Sequence, residues 1–344
     1  MNVGLLTGGG DCPGLNAVIR AIVQRVANAG GTCVGILEGW RGLVQNTTIP
    51  LDVQQTDGII GRGGTILGAS RTNPYKNAVA DIPALQANVN ALGLDAIVAI
   101  GGDDTLGVAF RLYKDFMLPV VGVPKTIDND LLVTDFTFGF DTALNIVTEA
   151  VDRLRTTAES HRRIMVVETM GRNAGWIACY AGIAVAADFI LIPEVPIDMP
   201  HLVEVLRTRR EAGKTYGIVV VAEGAEFPVG GAVLCDQSVD PFGNARLGGI
   251  GAVVARQIEQ RTGIETRSVT LGHLQRGGPP SAYDRVLATR LGLAASALVL
   301  RRRFGTLVAL SGNEIVEKPL DDTVAATRTL DLRVYDEAAA FFKK

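Results

Sequence analysis

Residues 3–16 read VGLLTGGGDCPGLN, a short apolar run followed by three glycines, a proline and the start of a longer amphipathic stretch. The apolar run predicts a buried strand, and the glycines predict a tight turn whose backbone can approach a ligand closely. Apolar residues at helical spacing then predict a helix over Leu15–Ala29. A strand, a glycine turn and a helix form the first part of a βαβ unit, so this opening predicts an α/β fold.

The same alternation of short apolar runs and helix-length stretches continues along almost the whole chain. Most runs are continuously apolar, which is typical of parallel strands covered on both faces. We therefore predict two three-layer α/β/α domains with mainly parallel, doubly wound sheets and a ligand site at the carboxyl ends of the strands. The predicted strands are Val3–Leu6, Cys33–Ile36, Ala96–Ile100, Val120–Val123, Ile164–Val167, Phe189–Ile192, Ile218–Val221, Ser268–Thr270 and Leu307–Leu310, and the further predicted helices are Ile82–Leu92, Thr142–Ala158, His201–Ala212 and Gly251–Thr262.

Length and charge narrow the class of protein. The chain has 344 residues, which is enough for two domains. Its 33 basic and 36 acidic side chains give a net charge of −3, which does not favour binding to nucleic acid or to a membrane surface. No apolar run reaches membrane-spanning length, and the N-terminus begins a strand rather than a signal peptide. Four scattered cysteines without a CxxC pair indicate reduced thiols, so we expect a cytoplasmic protein.

Three polar loops directly follow predicted strands in the first half. Gly8-Gly9-Gly10 precedes a helix and suits a phosphate, although the loop lacks the Walker lysine and the GxGxxG spacing and could be a tight turn alone. GGDDT at 101–105 suits magnesium and phosphate, or alternatively a helix start with acidic residues. PKTIDND at 124–130 offers a cation, a general base and a carboxylate, or alternatively a solvated turn.

The second half contributes arginines and a histidine near strand ends. These lie in SHRR at 160–163, ETMGR at 168–172, Thr266-Arg267 and GHLQRGG at 272–278, with Glu223 after another strand. Guanidinium groups match phosphate oxygens, so the placement predicts a pocket for an anionic ligand, although each arginine alone could be a surface charge. Residues 224–249 predict a long surface loop or a small hairpin.

These motifs, with RGGTILGASR at 62–71, occur in the order found in the phosphofructokinase family, which the chain resembles over nearly its whole length. The resemblance implies an active site in the cleft between two domains. The phosphoryl-donor domain would comprise 1–139 and about 276–325, and the fructose 6-phosphate domain would comprise 140–275 and about 326–344. It also implies Mg²⁺ as cofactor and a homodimer or homotetramer.

The resemblance further implies a role for individual residues. Asp128 corresponds to the general base, Asp103 to the magnesium-linked carboxylate, and Arg163 and Arg267 to phosphate ligands that reach in from a neighbouring subunit. The implied catalytic set is Asp128, Lys125, Asp104 and Arg172; the donor-binding set is Gly9, Gly10, Arg71, Gly102, Asp103, Asp104 and Thr105; and the sugar-binding set is Thr126, Ile127, Asp128, Arg163, Met170, Gly171, Arg172, Glu223, Arg267, His273 and Arg276.

Two positions bear on the phosphoryl donor. ATP-dependent members of the family have glycine where this chain has Asp104, and commonly glycine where it has Lys125. Repulsion between a carboxylate and the α-phosphate of ATP costs about 4 kcal/mol at ~4 Å and an effective dielectric constant of ~20, roughly a thousandfold in affinity. The resemblance therefore implies transfer from pyrophosphate to the 1-hydroxyl of fructose 6-phosphate, reversibly, in glycolysis or gluconeogenesis. An ATP-dependent enzyme is the alternative.

Two other classes of function remain open at this stage. NAD kinases and lipid kinases share a GGD loop, but they do not need PKTIDND or GHLQRGG. A sugar-phosphate sensor without catalysis would keep the anion-binding arginines, but it would have no use for the base at Asp128.

Overall fold

The computed structural model describes residues 1–229, 231–239, 245–324 and 326–342. The strands are β1 (Asn2–Thr7), β2 (Thr32–Ile36), β3 (Thr48–Leu51), β4 (Ala96–Gly101), β5 (Val120–Pro124), β6 (Ile164–Thr169), β7 (Phe189–Leu191), β8 (Gly217–Ala222), β9 (Glu226–Phe227), β10 (Gly231–Ala232), β11 (Leu234–Val239), β12 (Ala245–Leu247), β13 (Thr266–Thr270), β14 (Thr306–Ser311) and β15 (Glu314–Pro319).

Helices alternate with these strands, as the sequence predicts for an α/β fold. They are α1 (Leu15–Asn28), α2 (Trp40–Gln45), α3 (Val53–Thr56), α4 (Ala78–Ala91), α5 (Asp103–Phe116), α6 (Phe140–His161), α7 (Trp176–Ala184), α8 (Met199–Glu211), α9 (Ile250–Thr262), α10 (Ala282–Leu300) and α11 (Leu332–Ala339). No helix in the described ranges is long and apolar enough to cross a membrane.

The chain divides into two compact units. Unit 1 contains the described residues of 1–142 and 276–327, and unit 2 contains those of 143–239, 245–275 and 328–342. Helix α6 begins in unit 1 and continues into unit 2.

Unit 1 is built on a seven-stranded sheet in the order β15-β14-β5-β4-β1-β2-β3. The five central strands are parallel, and only the two edge pairings, β14 with β15 and β2 with β3, are antiparallel. Strand β1 pairs with β2 on one side and with β4 on the other. The connections after β1 and β4 therefore leave the sheet side by side, which is where open α/β sheets bind ligands.

The core of unit 1 lies on the sheet faces. Strands β1, β4 and β5 are buried almost throughout, which agrees with their continuously apolar sequences. The core includes Leu6, Ile36, Trp40, Leu85, Ile97, Ala99, Leu106, Leu112, Val120 and Leu307.

Unit 2 contains a four-stranded parallel sheet in the order β13-β6-β8-β7. A buried carboxylate lies within this sheet: Glu168 of β6 is 1% exposed and accepts hydrogen bonds from the amides of Gly249 and Gly251 at 3.1 and 2.7 Å. Amides at the start of a helix have no partner within the helix, so these two hydrogen bonds at the start of α9 compensate for the burial of the Glu168 carboxylate.

The helices absent from the predicted set are α2, α3, α5, α7, α10 and α11. Two of them, α7 and α10, are missed for physical reasons. Helix α7 is apolar on nearly every side, so it has no helical periodicity. Helix α10 packs closely on α1, where a Cβ on Gly292 would lie 2.8 Å from the carbonyl oxygen of Val18. The exposed face of α10 also carries apolar side chains, among them Val286 and Leu293, so the helix lacks a clear polar stripe.

The remaining sequence predictions concern smaller features. Within 224–249, β9 pairs antiparallel with β10 and β11 with β12, while 230 and 240–244 lie outside the described residues. Cys12, Cys33 and Cys179 are buried free thiols, and the side chain of Cys235 lies outside the described residues.

Candidate active site

The glycine loop after β1 brings its backbone against three side chains of unit 1. A Cβ on Gly8 would lie 2.4 Å from Oγ1 of Thr105, and a Cβ on Gly10 would lie 2.7 Å from Nη1 of Arg276. Gly9 has a left-handed φ of +77°, and its position faces Nζ of Lys125 at 3.5 Å. Larger residues would displace these groups, so the close approach explains why glycine occupies these positions.

Lys125 follows β5 and lies deep in this loop cluster. Its side chain is 2% exposed, its amide donates to the carbonyl of Gly101 at 2.9 Å, and its Nζ donates to the carbonyl of Gly10. Burial lowers the pKa of Lys125, and the nearby Asp11 and Asp128 carboxylates oppose that shift. The amino group of Lys125 therefore lies against the backbone of the glycine loop.

Asp128 and Arg276 lie next to each other in unit 1. Nη2 of Arg276 is 3.9 Å from Oδ2 of Asp128, and Nη1 donates to the carbonyl of Asp11 at 3.2 Å. The amide of Asp128 donates to Oγ1 of Thr126 at 3.0 Å, which fixes the loop. Among the described residues, no group hydrogen-bonds to the buried Oδ1 of Asp128, so this carboxylate has an unused acceptor oxygen.

Asp103 and Asp104 are the first two residues of α5, where acidic side chains suit the helix dipole. The GGDDT motif therefore does begin a helix, as one of the two interpretations of this motif predicts, and its two aspartates also line a cavity. Oδ1 of Asp103 accepts from the amide of Asp104 at 2.8 Å. Asp103, Asp104, Asp130 and Arg111 line a cavity of about 530 Å³ in unit 1.

Asp130 interacts electrostatically with the carboxylates of Asp128 and Asp103. Burial, followed by the charges of Asp128 and Asp103, raises its pKa to about 7. Mutual repulsion of carboxylates is relieved by a bound cation, and oxygen ligands of this kind suit Mg²⁺. The described residues contain no group of three or more His, Cys, Asp or Glu side chains arranged to hold a metal alone. A cation here would need further oxygen ligands from phosphate or water.

The remaining donor-set residues surround the same loops. Thr105 is 3% exposed, and its carbonyl accepts from Nε1 of Trp40 at 3.3 Å. Arg71 is exposed and follows Ser70, whose carbonyl accepts from the amide of Gly9 at 3.2 Å. Gly102 precedes α5. The structure thus brings Gly9, Gly10, Gly102, Thr105 and Lys125 to one edge of the first sheet.

Residues 137–142 support the loop that carries Asp128. Oγ1 of Thr137 donates to the carbonyl of Thr126 at 2.7 Å, and its amide donates to the side chain of Asn129 at 3.1 Å. At the other end of the segment, the amide of Thr142 donates to Oδ2 of the fully buried Asp284 at 2.8 Å, and its hydroxyl does so at 2.5 Å. The start of α6 is therefore fixed by a carboxylate of α10.

We expect Asp284 to make stability depend on pH. Burial raises its pKa to about 6, so the folded state favours the protonated acid. Its contribution is most favourable below the ordinary pKa and is lost as pH rises to about 6 and above. Between pH 4 and 7, the free energy of unfolding of the wild-type protein should fall relative to that of Asp284→Asn, by up to about 3 kcal/mol. Urea titrations of both proteins measure this difference, and a constant difference would contradict the assignment.

Unit 2 gathers a second group of site residues at the carboxyl ends of its strands. Met170, Gly171 and Arg172 follow β6, and Glu223 follows β8. The amide of Glu223 donates to the carbonyl of Thr169 at 2.9 Å, and the amide of Gly224 donates to that of Gly171 at 3.1 Å. The two loops therefore pack on each other.

Gln275 is a supporting residue that the sequence motif contains but did not single out. It is fully buried, its Oε1 accepts from the amide of Met170 at 3.2 Å, and its Nε2 donates to the carbonyl of Gly272 at 3.0 Å. It thus connects the loop after β6 with the turn carrying His273, which is itself exposed. In the sequence, the only indication of this role is that Gln275 lies between His273 and Arg276, two residues that the resemblance assigns to the sugar-binding set.

Arg163 and Arg267 lie at the other ends of the same strands. Arg163 directly precedes β6, and Arg267 is the second residue of β13, in register with Met165. At about 3.3 Å per residue, Arg163 is roughly 20 Å along the strand from Met170 and Arg172. Arg267, in register with Met165, is about 16 Å from Met170 along the sheet, so both arginines lie well away from the other predicted sugar-site residues of the same unit.

The comparisons with known proteins identify the family. A family model described as phosphofructokinase matches residues 2–299. The chain is 53% identical to a pyrophosphate–fructose 6-phosphate 1-phosphotransferase of Streptomyces coelicolor, covering 99% of this chain and all of that protein. This chain belongs to the phosphofructokinase family. A solved phosphofructokinase from Saccharomyces cerevisiae superimposes with a TM-score of 0.83 at 28% identity, covering 98% of this chain and 50% of that one.

Relatives with the other donor are nearly as similar. An ATP-dependent 6-phosphofructokinase of Streptomyces coelicolor is 48% identical over 98% of this chain and 99% of its own length. Overall identity therefore does not assign the phosphoryl donor, and individual residues must do so.

Proposed function

We propose that this phosphofructokinase transfers a phosphoryl group from pyrophosphate to the 1-hydroxyl of fructose 6-phosphate, giving fructose 1,6-bisphosphate and phosphate. The observation that carries the proposal is the presence of Asp104 at the start of α5 and of Lys125 directly after β5. Lys125 contacts the carbonyl of Gly10 in the glycine loop, and Asp104 lines a cavity together with Asp103 and Asp130. Unit 1 is proposed as the donor domain and unit 2 as the sugar domain.

Asp128 is proposed as the general base. Its Oδ1 has no hydrogen-bond donor in the described part of the chain, and Arg276 lies beside Oδ2. When the 1-hydroxyl is bound, the carboxylate of Asp128 would accept its proton while the hydroxyl oxygen attacks the transferred phosphorus. Arg172 and Arg276 carry fixed positive charges that would stabilise the developing charge and hold the sugar phosphate.

Asp103 is proposed to hold Mg²⁺ together with phosphate oxygens, with Asp130 nearby. The support for a cation at this place is that Asp103, Asp104 and Asp130 line one cavity, where a cation would relieve the repulsion between their carboxylates. Bound magnesium would neutralise charge on the phosphate oxygens. Positioning of the donor backbone falls to the amides of Gly9, Gly10 and Gly102.

Charge rather than volume is proposed to select the donor. A cavity of about 530 Å³ exceeds what pyrophosphate requires, so its size does not exclude a nucleotide. The Asp104 carboxylate in its lining would repel the α-phosphate of ATP. Pyrophosphate lacks that group, and the ammonium of Lys125 would stabilise the phosphate that leaves.

The sugar site is proposed to be completed by a second copy of the chain. Met170, Gly171, Arg172, Glu223 and His273 lie at the carboxyl ends of the strands of unit 2, whereas Arg163 and Arg267 lie at the opposite ends. Both arginines can bind the 6-phosphate only if they serve the site of a neighbouring subunit. A homodimer is the smallest assembly that satisfies this arrangement.

Arg267→Ala should raise the KM for fructose 6-phosphate by about 10- to 150-fold, because a charge-assisted contact to phosphate contributes about 1.5–3 kcal/mol. Mixed oligomers of Arg267→Ala and Asp128→Asn subunits should recover activity, since one site in the hybrid has both residues intact. Steady-state kinetics after subunit exchange measure the recovery. If exchange is verified and no activity returns, each site is built within one chain.

The proposed function is tested by supplying pyrophosphate as sole donor with fructose 6-phosphate and magnesium and measuring fructose 1,6-bisphosphate. ATP as sole donor is the parallel reaction, and it represents the second candidate function, which the 48% identical ATP-dependent relative favours. If neither pyrophosphate nor ATP supports the formation of fructose 1,6-bisphosphate, both candidate functions are refuted.

A further inference from the structure

Arg163 and Arg267, the two arginines assigned above to the neighbour's sugar phosphate, share one carboxylate. Nη2 of Arg163 lies 3.3 Å and Nη2 of Arg267 lies 2.7 Å from the same oxygen, Oε1 of Glu265. The two Nη2 atoms are therefore at most about 6 Å apart, the sum of the two distances. Two donors within that separation can hydrogen-bond to oxygens of a single phosphate group.

The backbones of these residues are fixed by the sheet. The amide of Ile164 donates to the carbonyl of Glu265 at 3.0 Å, and the amide of Gly217 donates to that of Arg163 at 3.2 Å. These backbone hydrogen bonds do not restrict the long side chain of either arginine. Arg163 is 21% exposed, so packing already restricts its side chain. Arg267 is 51% exposed and is restricted mainly by its contacts, which include a hydrogen bond from its Nη1 to the carbonyl of Thr266 at 3.0 Å.

We propose that Glu265 is a positioning residue that holds the guanidinium groups of Arg163 and Arg267 at the separation required for one phosphate of the neighbouring subunit's sugar. This proposal rests on the proposed function, and it does not depend on which phosphoryl donor is used. Glu265 itself touches no reacting atom. Its effect is to order two side chains before the sugar phosphate arrives, so that binding does not have to order them.

A competing effect has the opposite sign. The Glu265 carboxylate repels an incoming phosphate, and its removal would then improve binding. However, Glu265 is 43% exposed, so solvent and salt weaken this repulsion. At Glu265 itself, one carboxylate faces two guanidinium groups, and the next carboxylate, Glu259, lies 3.8 Å from Nη1 of Arg267.

Glu265→Gln tests the proposal, because glutamine keeps the size of the side chain and removes its charge. We expect the KM for fructose 6-phosphate to rise about tenfold, with kcat at saturating sugar phosphate and the KM for the phosphoryl donor changed less than twofold. Loss of two ordered side chains accounts for an effect of this size. Because Glu265 is partly exposed, the variant should fold normally, and its melting temperature checks this.

Glu259→Gln is the matched control. Glu259 is 3.8 Å from Nη1 of Arg267 and forms no described ion pair with Arg163, so the KM for fructose 6-phosphate should change less than twofold. In an Arg267→Ala background, Glu265→Gln should add less than threefold, because the pair to be held is already broken.

The possible outcomes distinguish a failure of the positioning role of Glu265 from a failure of the proposed function. An unchanged or lower KM in Glu265→Gln overturns the positioning role, and so does an equal effect in the Glu259→Gln control. If the wild-type protein does not phosphorylate fructose 6-phosphate with either pyrophosphate or ATP, the proposed function itself fails, whatever the effect of Glu265→Gln.

Discussion

Asp128→Asn should lower kcat by about 10²–10⁴, the usual contribution of a general base. Asparagine has nearly the same size and keeps an oxygen acceptor, but it cannot take the proton from the 1-hydroxyl. The amide bond of residue 128 to Oγ1 of Thr126 does not involve the carboxylate, so the loop should keep its conformation. The KM for fructose 6-phosphate should change little.

Steady-state kinetics and a melting curve measure this prediction together. Asp57→Asn is the control for an aspartate-to-asparagine change on the surface of unit 1, since Asp57 is 72% exposed and pairs only with Arg20 among the described residues. Near-normal turnover in Asp128→Asn would remove Asp128 from the chemistry.

Asp104→Gly should admit ATP. Removal of the carboxylate abolishes a repulsion of about 4 kcal/mol at ~4 Å, so kcat/KM for ATP should rise by up to about a thousandfold. The same change should impair the pyrophosphate reaction, because the site loses a carboxylate that balances Lys125. Lys125→Gly should lower pyrophosphate turnover without admitting ATP, since Asp104 remains in the cavity lining.

The double variant should favour ATP relative to the wild-type protein, even if it is slow. Lys125 is 2% exposed, so its removal also leaves a cavity and an unpaired carbonyl at Gly10. Lys125→Met keeps most of the volume without the charge and separates these structural effects from the electrostatic one. If Lys125→Met retains full pyrophosphate turnover, the lysine charge has no part in donor use.

The sequence predicts the placement of the donor loops because that placement follows from local pattern. Continuously apolar runs at Val3–Leu6, Ala96–Ile100 and Val120–Val123 indicate neighbouring parallel strands. Polar loops after such strands must meet at one edge of the sheet. The structure brings Gly10, Lys125 and Thr105 together there, as that pattern requires.

Other features depend on contacts between distant residues and have no local signal. Gln275 binds the amide of Met170 across 105 residues, and Asp284 binds Thr142 across 142 residues. The sequence shows a glutamine and an aspartate at these positions but not their partners. The position of Arg163 before β6 is visible in the sequence, but its shared carboxylate with Arg267 becomes apparent only from the pairing of β6 with β13.

The central claim is that Asp104 and Lys125 make this family member a pyrophosphate-dependent enzyme. The most direct test is kcat/KM for pyrophosphate and for ATP in the wild-type protein, at one magnesium concentration and saturating fructose 6-phosphate. The account predicts a preference for pyrophosphate of at least about a hundredfold, within the range set by the repulsion estimate. Equal use of the two donors, or a preference for ATP, would contradict it.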